Sequence, residues 1–260
     1  MLDETIITKA IIESYTQDLI NNLHTDVIIA GAGPAGLVAS KFLADAGLKT
    51  IIFERKLSIG GGMLGGGMMF NKIVVQTEAK RILDIYDIKL KEIEKGYFVA
   101  DAIESVGKLT AGAIDAGVKI FNLISVEDVK IDGDFRITGA VINWTAVGMA
   151  KLHVDPLTFE SRCVIDATGH DLEVVNVALR KIPNSKIDTP TGEIMGELSM
   201  NAEIGEKILL ETTKEVYPGL YVAGMAANAC SGGQRMGPIF GGMLLSGEKV
   251  ANLIINKFKR

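Results

Sequence analysis

Two short clusters in this 260-residue chain combine imidazole and carboxylate side chains, which are common metal ligands and proton carriers in proteins. His153 stands two residues before Asp155, and His170 directly precedes Asp171. One histidine and one aspartate could hold Fe(II), Zn or Mn and leave coordination positions open for a substrate. Neither cluster has the His-x-His or His-x-x-x-His spacing of many metal sites. Taken alone, the spacing therefore favours a structural role for these polar side chains over metal binding. His24, the third histidine, is expected on the surface.

A third candidate is Arg235, in a glycine-rich segment that runs from Cys230 to Pro238. A guanidinium can pair bidentately with a substrate carboxylate, and the neighbouring glycines permit close approach. Solvent exposure is the commoner explanation for an isolated arginine. The two cysteines cannot form a disulfide framework, and no CxxC pair suggests zinc. Cys163 lies in an apolar strand and is predicted to be a buried thiol.

The segment Gly31-Ala32-Gly33-Pro34-Ala35-Gly36 fits the G-x-G-x-x-G pattern of dinucleotide-binding proteins. It follows an apolar strand over 26–30 and opens a predicted helix over 34–46. Gly31 permits the tight turn, Gly33 lets the backbone approach a pyrophosphate, and Gly36 allows close packing of helix against strand. The helix N-terminus attracts phosphate charge. The sequence therefore predicts a Rossmann βαβ unit over 25–55.

Glu54 ends the second strand of this unit, 21 residues after Gly33. A carboxylate there accepts hydrogen bonds from ribose hydroxyls and repels a 2′-phosphate, so NAD or FAD fits better than NADP. The neighbouring Arg55 weakens that preference. The loop that follows has six glycines within 60–67, and its backbone freedom suits a flexible connector and a ligand-contacting loop equally.

The elements that must position these residues read as one domain, 1–260. A leading helix over 3–23 must cover its own core or a neighbouring subunit. Residues 76–117 read as helix, short strand and helix, with the second helix over 99–116. The remaining predicted elements are a β-rich insertion over about 118–160 with a hairpin turn at 130–137, a buried strand over 162–167, a polar stretch over 183–205, a closing strand over 219–224 and a helix over 238–258.

This order predicts an α/β fold: a Rossmann-like dinucleotide-binding fold of the two-dinucleotide-binding flavoprotein type, with an inserted β-rich region. In those flavoproteins the last strand usually ends in Gly-Asp. Here Met225 follows Gly224, which counts against ordinary FAD chemistry.

Composition excludes several classes of protein. Hydrophobic residues make up 48% and charged residues 23%, which is the balance of a globular protein. A formal net charge of −5 and the absence of a Lys/Arg block argue against nucleic-acid binding. No apolar run reaches the roughly 18–20 residues that span a bilayer, and the acidic N-terminus lacks a signal-peptide layout. We therefore expect a cytoplasmic protein without a membrane partner.

Taken together, the motifs resemble one family over nearly the whole chain: the thiamine thiazole synthases. The segments that carry the resemblance are Gly31 to Gly36, Glu54-Arg55, the Gly60 to Gly67 loop, Asn143-Trp144, His153-Val154-Asp155-Pro156, Ala167-Thr168-Gly169-His170-Asp171 and Ser231-Gly232-Gly233-Gln234-Arg235-Met236-Gly237-Pro238-Ile239-Phe240-Gly241. Several of these segments are not shared by generic flavoproteins.

The resemblance implies that NAD, glycine and a sulfur source become an ADP-linked thiazole carboxylate, with release of nicotinamide. It places Asp155 and His170 at the Fe(II)-binding positions, supplied by adjacent subunits of a homo-oligomer that is commonly an octamer. It places Arg235 at the glycine carboxylate. The expected dinucleotide positions are Gly31, Gly33, Ala35, Gly36, Glu54, Arg55, Gly62, Val126, His153 and Met225.

His153 is the informative departure within the family. Fungal and plant members have a cysteine there that gives up its own sulfur in a single turnover. Imidazole has no sulfur to give, so the resemblance implies the archaeal, sulfide-dependent branch, which turns over repeatedly. Since imidazole titrates near neutral pH, we predict that His153 is a catalytic acid–base group.

Three other functions are compatible with parts of the sequence. An FAD-dependent oxidoreductase needs only the dinucleotide unit and the overall layout. A ribose 1,5-bisphosphate isomerase would act on a sugar phosphate without NAD. A non-catalytic NAD-binding sensor would leave NAD intact, but it would give the glycine loop, Asp155, His170 and Arg235 no common purpose.

Overall fold

A computed structural model describes residues 1–259 as a central sheet with helices on one face and a smaller sheet on the other. The strands are β1 (Val27–Ala30), β2 (Thr50–Glu54), β3 (Lys72–Gln76), β4 (Leu90–Glu94), β5 (Tyr97–Asp101), β6 (Lys119–Asn122), β7 (Ile124–Ile131), β8 (Ile137–Trp144), β9 (Leu157–Glu160), β10 (Cys163–Asp166), β11 (Glu215–Tyr217) and β12 (Leu220–Val222). The helices are α1 (Glu4–Asn21), α2 (Pro34–Asp45), α3 (Thr77–Ile85), α4 (Ala102–Asp115), α5 (Thr145–Met149), α6 (Glu173–Lys181), α7 (Ala202–Thr212), α8 (Met225–Ser231) and α9 (Gly241–Phe258).

The central sheet has the order β11-β12-β10-β1-β2-β6, and all its pairings are parallel except that between β11 and β12. Every residue of β1, β2 and β10 is buried, as a parallel sheet covered on both faces requires. This confirms the predicted βαβ unit and the buried strand before His170.

One face of the central sheet packs against α2, α4 and α9, and the other against the antiparallel sheet β7-β8-β9. Three aromatic rings join the two sheets: Phe53 lies 5.7 Å from Phe121 and 5.1 Å from Phe159, measured between ring centroids. The predicted hairpin is present between β7 and β8. The insertion, predicted over about 118–160, begins later, because β6 pairs with β2 in the central sheet.

The prediction of one short strand within 76–117 and of helix from Val99 was wrong. A second antiparallel sheet has the order β3-β5-β4, and Val99 pairs with Val74 inside it. Helix α4 begins only after Asp101, whose carboxylate accepts hydrogen bonds from the amides of Ile103 and Glu104. The N-cap thus sets the boundary, three residues later than the apolar periodicity indicated.

Four helices lie where the sequence gave no helix signal. They are α5, α6, α7 and α8, and α8 includes Cys230, which was assigned to the late glycine loop. The polar stretch over 183–205 is irregular only to Asn201, which caps α7 through the amide of Ile204. The last helix begins at Gly241 rather than at 238, since Ile239 forms a bridge with Val74.

Helix α1 buries none of its residues against the rest of the chain. Its isoleucines at 6, 7, 11 and 12 are exposed, and its clearest contact is an edge-on approach of Tyr15 to Phe121. Leu19 packs against the core of the chain, but these four isoleucines do not, which leaves a neighbouring subunit as the predicted cover for them. Among the described residues, no helix is both long and apolar enough to span a bilayer.

Candidate functional site

A cavity of about 460 Å³ opens at the carboxyl ends of β1, β2, β10 and β12. This is where parallel α/β sheets bind ligands. Its lining includes ten of the predicted dinucleotide, metal and glycine positions, which are Gly31, Gly33, Ala35, Glu54, Arg55, Gly62, Val126, His170, Met225 and Arg235. The structure therefore brings most of the predicted site residues to one place. Three other predicted residues, Gly36, His153 and Asp155, do not line the cavity.

In the turn between β1 and α2, glycines allow neighbouring backbone segments to approach one another closely. Gly31 has a φ of +102°, and a Cβ there would lie 2.5 Å from the carbonyl oxygen of Ala167. A Cβ on Gly36 would lie 2.1 Å from the carbonyl oxygen of Gly31, so Gly36 serves packing rather than ligand contact. Gly33 caps α2 and faces open space. Its position at the helix N-terminus suits a phosphate group.

Glu54 is buried at the end of β2, and its carboxylate is held by the backbone. One oxygen accepts a hydrogen bond from the amide of Ala32 and the other from the amide of Lys56, both at 2.8 Å. Each oxygen retains acceptor capacity. The carboxylate is therefore fixed at the cavity edge, where it can accept from the two hydroxyls of a ribose.

Replacing Glu54 with alanine should weaken NAD binding about 10- to 100-fold, because two hydrogen bonds to the ribose are lost at about 1 kcal/mol each. NADP binding should weaken less, since the charge that repels a 2′-phosphate also disappears. Calorimetric titration of both dinucleotides measures this. Glu54→Gln, which removes the charge and keeps one acceptor, is the matched control. Equal losses for NAD and NADP would mean that Glu54 acts only by holding the backbone.

Arg55 is engaged by two carboxylates that follow β10. Its guanidinium pairs with Asp171 at 2.7 Å and with Glu173. Burial raises the pKa of Glu173, while the charge of Arg55 opposes that rise. The ion pairs join the end of β2 to the turn that carries His170. The adenosine-ribose role of Arg55 stays a prediction.

The glycine loop after β2 divides into two parts. Gly61, Gly62 and Met63 line the cavity, and a Cβ on Gly61 would lie 3.3 Å from the Cα of Gly33. The later residues Met68 and Met69 are exposed. Of the two interpretations of this loop, close approach to a ligand is therefore supported for its first part.

His170 lies on a short 3₁₀ turn, Gly169–Asp171, just after β10. The buried carboxylate of Asp166 holds this turn: it accepts from the amide and hydroxyl of Thr168, and from the amides of Val174 and Val175 at the start of α6. Burial raises the pKa of Asp166, and these four hydrogen bonds oppose that rise. The turn that carries His170 is thus anchored in the core.

The imidazole of His170 contacts a carboxylate that sequence reasoning missed. Its Nδ1 lies 2.7 Å from Oε2 of Glu197, which comes from the polar stretch before α7. The other oxygen of Glu197 accepts from the side-chain amide of Asn228, at 3.2 Å. No motif or spacing in the sequence marks either residue.

Arg235 is exposed at the cavity. Its backbone amide donates to the carbonyl of Leu198 at 3.2 Å, and its carbonyl accepts from the amide of Asn201 at 2.9 Å. Within residues 1–259 no carboxylate forms an ion pair with its guanidinium, in contrast to Arg55. An unpaired guanidinium at a ligand cavity suits a carboxylate or phosphate group.

His153 and Asp155 lie in the connection between β8 and β9, and both are exposed. Neither is among the described residues that line the cavity. Nor does any group of three or more His, Cys, Asp and Glu side chains within 1–259 form a potential metal cluster. One chain thus presents His170 to the cavity without Asp155, and the expected proximity of His153 to the dinucleotide does not occur within one chain.

Both cysteines are fully buried. Burial raises the pKa of the Cys163 thiol to about 12 and that of Cys230 to about 11. The burial predicted for Cys163 is confirmed. His24 is exposed beside Glu160, also as predicted.

Because the thiolate is the nucleophile, both thiols should be inert in the native protein. We expect an aromatic disulfide reagent at neutral pH to modify neither cysteine before unfolding and both in denaturant. Cys163→Ala and Cys230→Ala provide the matched controls that assign each site. Rapid modification of native protein at Cys230 would instead support a sulfur-donating role for that residue.

The parallel sheet, the glycine turn and the cavity at the strand ends define the Rossmann-like α/β fold of the flavoprotein type. A solved structure of a geranylgeranyl bacteriochlorophyll reductase-like protein from Thermoplasma acidophilum has the same fold, with a TM-score of 0.54 and 15% identity over 91% of this chain and 79% of that one. The predicted fold class is confirmed.

The chain belongs to the Thi4 family, whose model matches residues 8–240. It is 58% identical to a thiamine thiazole synthase of Methanothermobacter thermautotrophicus and 57% identical to one of Pyrococcus furiosus, over 99% of each pair of chains. The crystal structure of Thermovibrio ammonificans THI4 matches the full length of both chains, with 47% identity and a TM-score of 0.97. The family resemblance identified in the sequence is confirmed.

Proposed function

We propose that this chain is a thiamine thiazole synthase that converts NAD, glycine and sulfide into an ADP-linked thiazole carboxylate and releases nicotinamide, with Fe(II). Membership of the Thi4 family supports the thiazole-forming activity. The observation that carries the chemical detail is one cavity lined by the dinucleotide turn, the Glu54 carboxylate, His170 and Arg235, whose guanidinium forms no ion pair among the described residues. A redox flavoprotein does not need the last two groups together at this place.

The chain's own residues divide the binding of substrate among them. The N-terminus of α2 receives the pyrophosphate of NAD, and Glu54 accepts from the adenosine ribose. After nicotinamide leaves, the opened second ribose offers a carbonyl to the amine of glycine. Arg235 holds the carboxylate of glycine in a bidentate pair, so that the amine meets that carbonyl.

His170 fits the role of a metal ligand. It borders the cavity, and its Nδ1 is occupied by Glu197, which leaves Nε2 for coordination. Asp155 fits by chemistry but belongs to another part of the chain, so a second copy must supply it. Fe(II) held there would lower the pKa of protic ligands and make hydrosulfide available as a nucleophile.

His153 shares the β8–β9 connection with Asp155, so a neighbouring copy that brings Asp155 to the cavity brings His153 with it. We propose that its imidazole moves protons during ring formation. We expect His153→Ala to lower turnover about 100-fold at saturating sulfide while NAD binding is unchanged. Full turnover of that variant would remove the role.

The deciding experiment is anaerobic incubation of purified protein with NAD, glycine, Fe(II) and sulfide, followed by mass analysis of the small molecules. Nicotinamide and an ADP-thiazole, both in excess over protein, are the expected products. Intact NAD under every combination would contradict the proposal. Bound flavin, or conversion of a ribose bisphosphate without NAD, would then support the oxidoreductase or the isomerase.

A further inference from the structure

We infer that Glu197 is a positioning residue that fixes the tautomer and orientation of His170, so that His170 presents an unprotonated Nε2 to a metal. The inference rests on the proposed function, in which His170 is a metal ligand. It adds a residue that no sequence motif marks, and it assigns a purpose to the irregular segment before α7.

The first argument is the chemistry of the contact. Nδ1 of His170 and Oε2 of Glu197 are 2.7 Å apart, and an ionised carboxylate can only accept. Nδ1 therefore carries a proton, and in the neutral form of the ring the lone pair is on Nε2. The Glu197 side chain is 16% exposed, against 51% for His170, so the partner is more firmly enclosed than the ring that it orients. Histidine ligands in metal sites commonly have such carboxylate partners.

The second argument is that a residue buried in the core holds the Glu197 side chain in place. Asn228 is fully buried on α8, and its Nδ2 donates to Oε1 of Glu197 at 3.2 Å. The same Nδ2 also contacts the carbonyls of Gly233 and Gln234, at 3.3 and 3.0 Å. A Cβ on Gly233 would lie 1.9 Å from Oδ1 of Asn228, so a side chain there would displace the amide.

The third argument is backbone pairing around Glu197. The amide of Met195 donates to the carbonyl of Cys230 at 3.1 Å, and the amide of Leu198 donates to that of Gly233 at 3.0 Å. Arg235 then donates back to the carbonyl of Leu198. The segment that contains Glu197 is therefore hydrogen-bonded through its backbone to the loop that contains Arg235. One structural unit sets both the imidazole and the guanidinium at the cavity.

The test is anaerobic titration with Co(II), a spectroscopic substitute for Fe(II), on the assembled full-length protein. We expect Glu197→Ala to weaken Co(II) binding about 10- to 100-fold. Glu197→Gln should weaken it at least as much. Asn228 retains the amide oxygen of the new side chain, so the amide NH₂ faces Nδ1 and favours the tautomer that is protonated on Nε2. A merely structural role predicts the reverse, since glutamine is isosteric with glutamate.

Glu193→Ala is the matched control, because it removes the same charge from an exposed position in the same segment. It should bind Co(II) as the unmodified protein does. The melting temperature without metal should be the same for Glu197→Gln and the unmodified protein. Normal Co(II) affinity in Glu197→Gln, together with weak binding in His170→Ala, overturns the positioning role while His170 remains a ligand. Normal affinity in His170→Ala overturns both the inference and the proposed metal site.

Discussion

Two inactive variants, His170→Ala and Asp155→Ala, should regain activity when their subunits are mixed within one oligomer. Each variant alone should lose activity roughly a thousand-fold, because a lost metal ligand removes about 4 kcal/mol of transition-state stabilisation. The reason for recovery is geometric. His170 borders the cavity of its own chain, whereas Asp155 lies in the β8–β9 connection, outside that lining. A complete site then needs His170 from one copy and Asp155 from another.

With random assortment, about a quarter of the sites contain both intact residues, so about a quarter of the original activity should return. Subunits with different affinity tags, coexpressed and purified through both tags, provide the mixed oligomer. The control is a mixture of unmodified chains with chains that carry both substitutions. If the site is shared between chains, this mixture should have about a quarter of the original activity. If each site lies within one chain, it should have about half. Mixed oligomers that stay inactive would contradict the shared site.

The parts of the fold that could be predicted are those whose signals are local. The βαβ unit is identified by a continuous apolar strand, a glycine turn and a carboxylate at the end of the next strand. Each of these features is required by a steric or electrostatic constraint from residues or ligand groups close to it. The sheet β3-β5-β4 was misread since Val99 is apolar in both a helical and an extended pattern. Its pairing with Val74 is a long-range contact that periodicity does not report.

The same distinction between local signals and long-range contacts applies to the residues of the candidate site. Glu54 ends one buried strand and His170 follows another, so both lie at the carboxyl ends of strands where the cavity opens; the sequence predicted Glu54 there from its spacing and His170 from the family resemblance. Glu197 and Asn228 were missed because their roles arise from the contact of an irregular segment with α8, which joins residues 31 positions apart and leaves no local pattern in the sequence. Asp155 shows a further limit. Family resemblance names it as a ligand, but within one chain it lies outside the cavity that His170 borders, so the proposed metal site depends on a contact between two copies that no local pattern reports.

Arg235→Ala should raise the KM for glycine about 100-fold and leave the KM for NAD nearly unchanged. The guanidinium borders the cavity without an ion pair among residues 1–259, and in the proposed function the carboxylate of glycine is the anion that pairs with it. Two charge-assisted hydrogen bonds at about 1.5 kcal/mol each account for that change. Arg235→Lys keeps the charge but not the planar fork, and should recover only part of the affinity. Arg180→Ala, at an exposed arginine on α6, is the control and should alter neither KM.

Glycinamide separates loss of the carboxylate contact from general damage to the site. It keeps the amine that attacks the sugar carbonyl but has no carboxylate. The unmodified protein should therefore prefer glycine to glycinamide by about the same 100-fold factor, and Arg235→Ala should lose that preference. A variant that still discriminates against glycinamide would show that another group holds the carboxylate. In that case the unpaired guanidinium would fit a phosphate of the dinucleotide instead, and the KM for NAD would rise in its place.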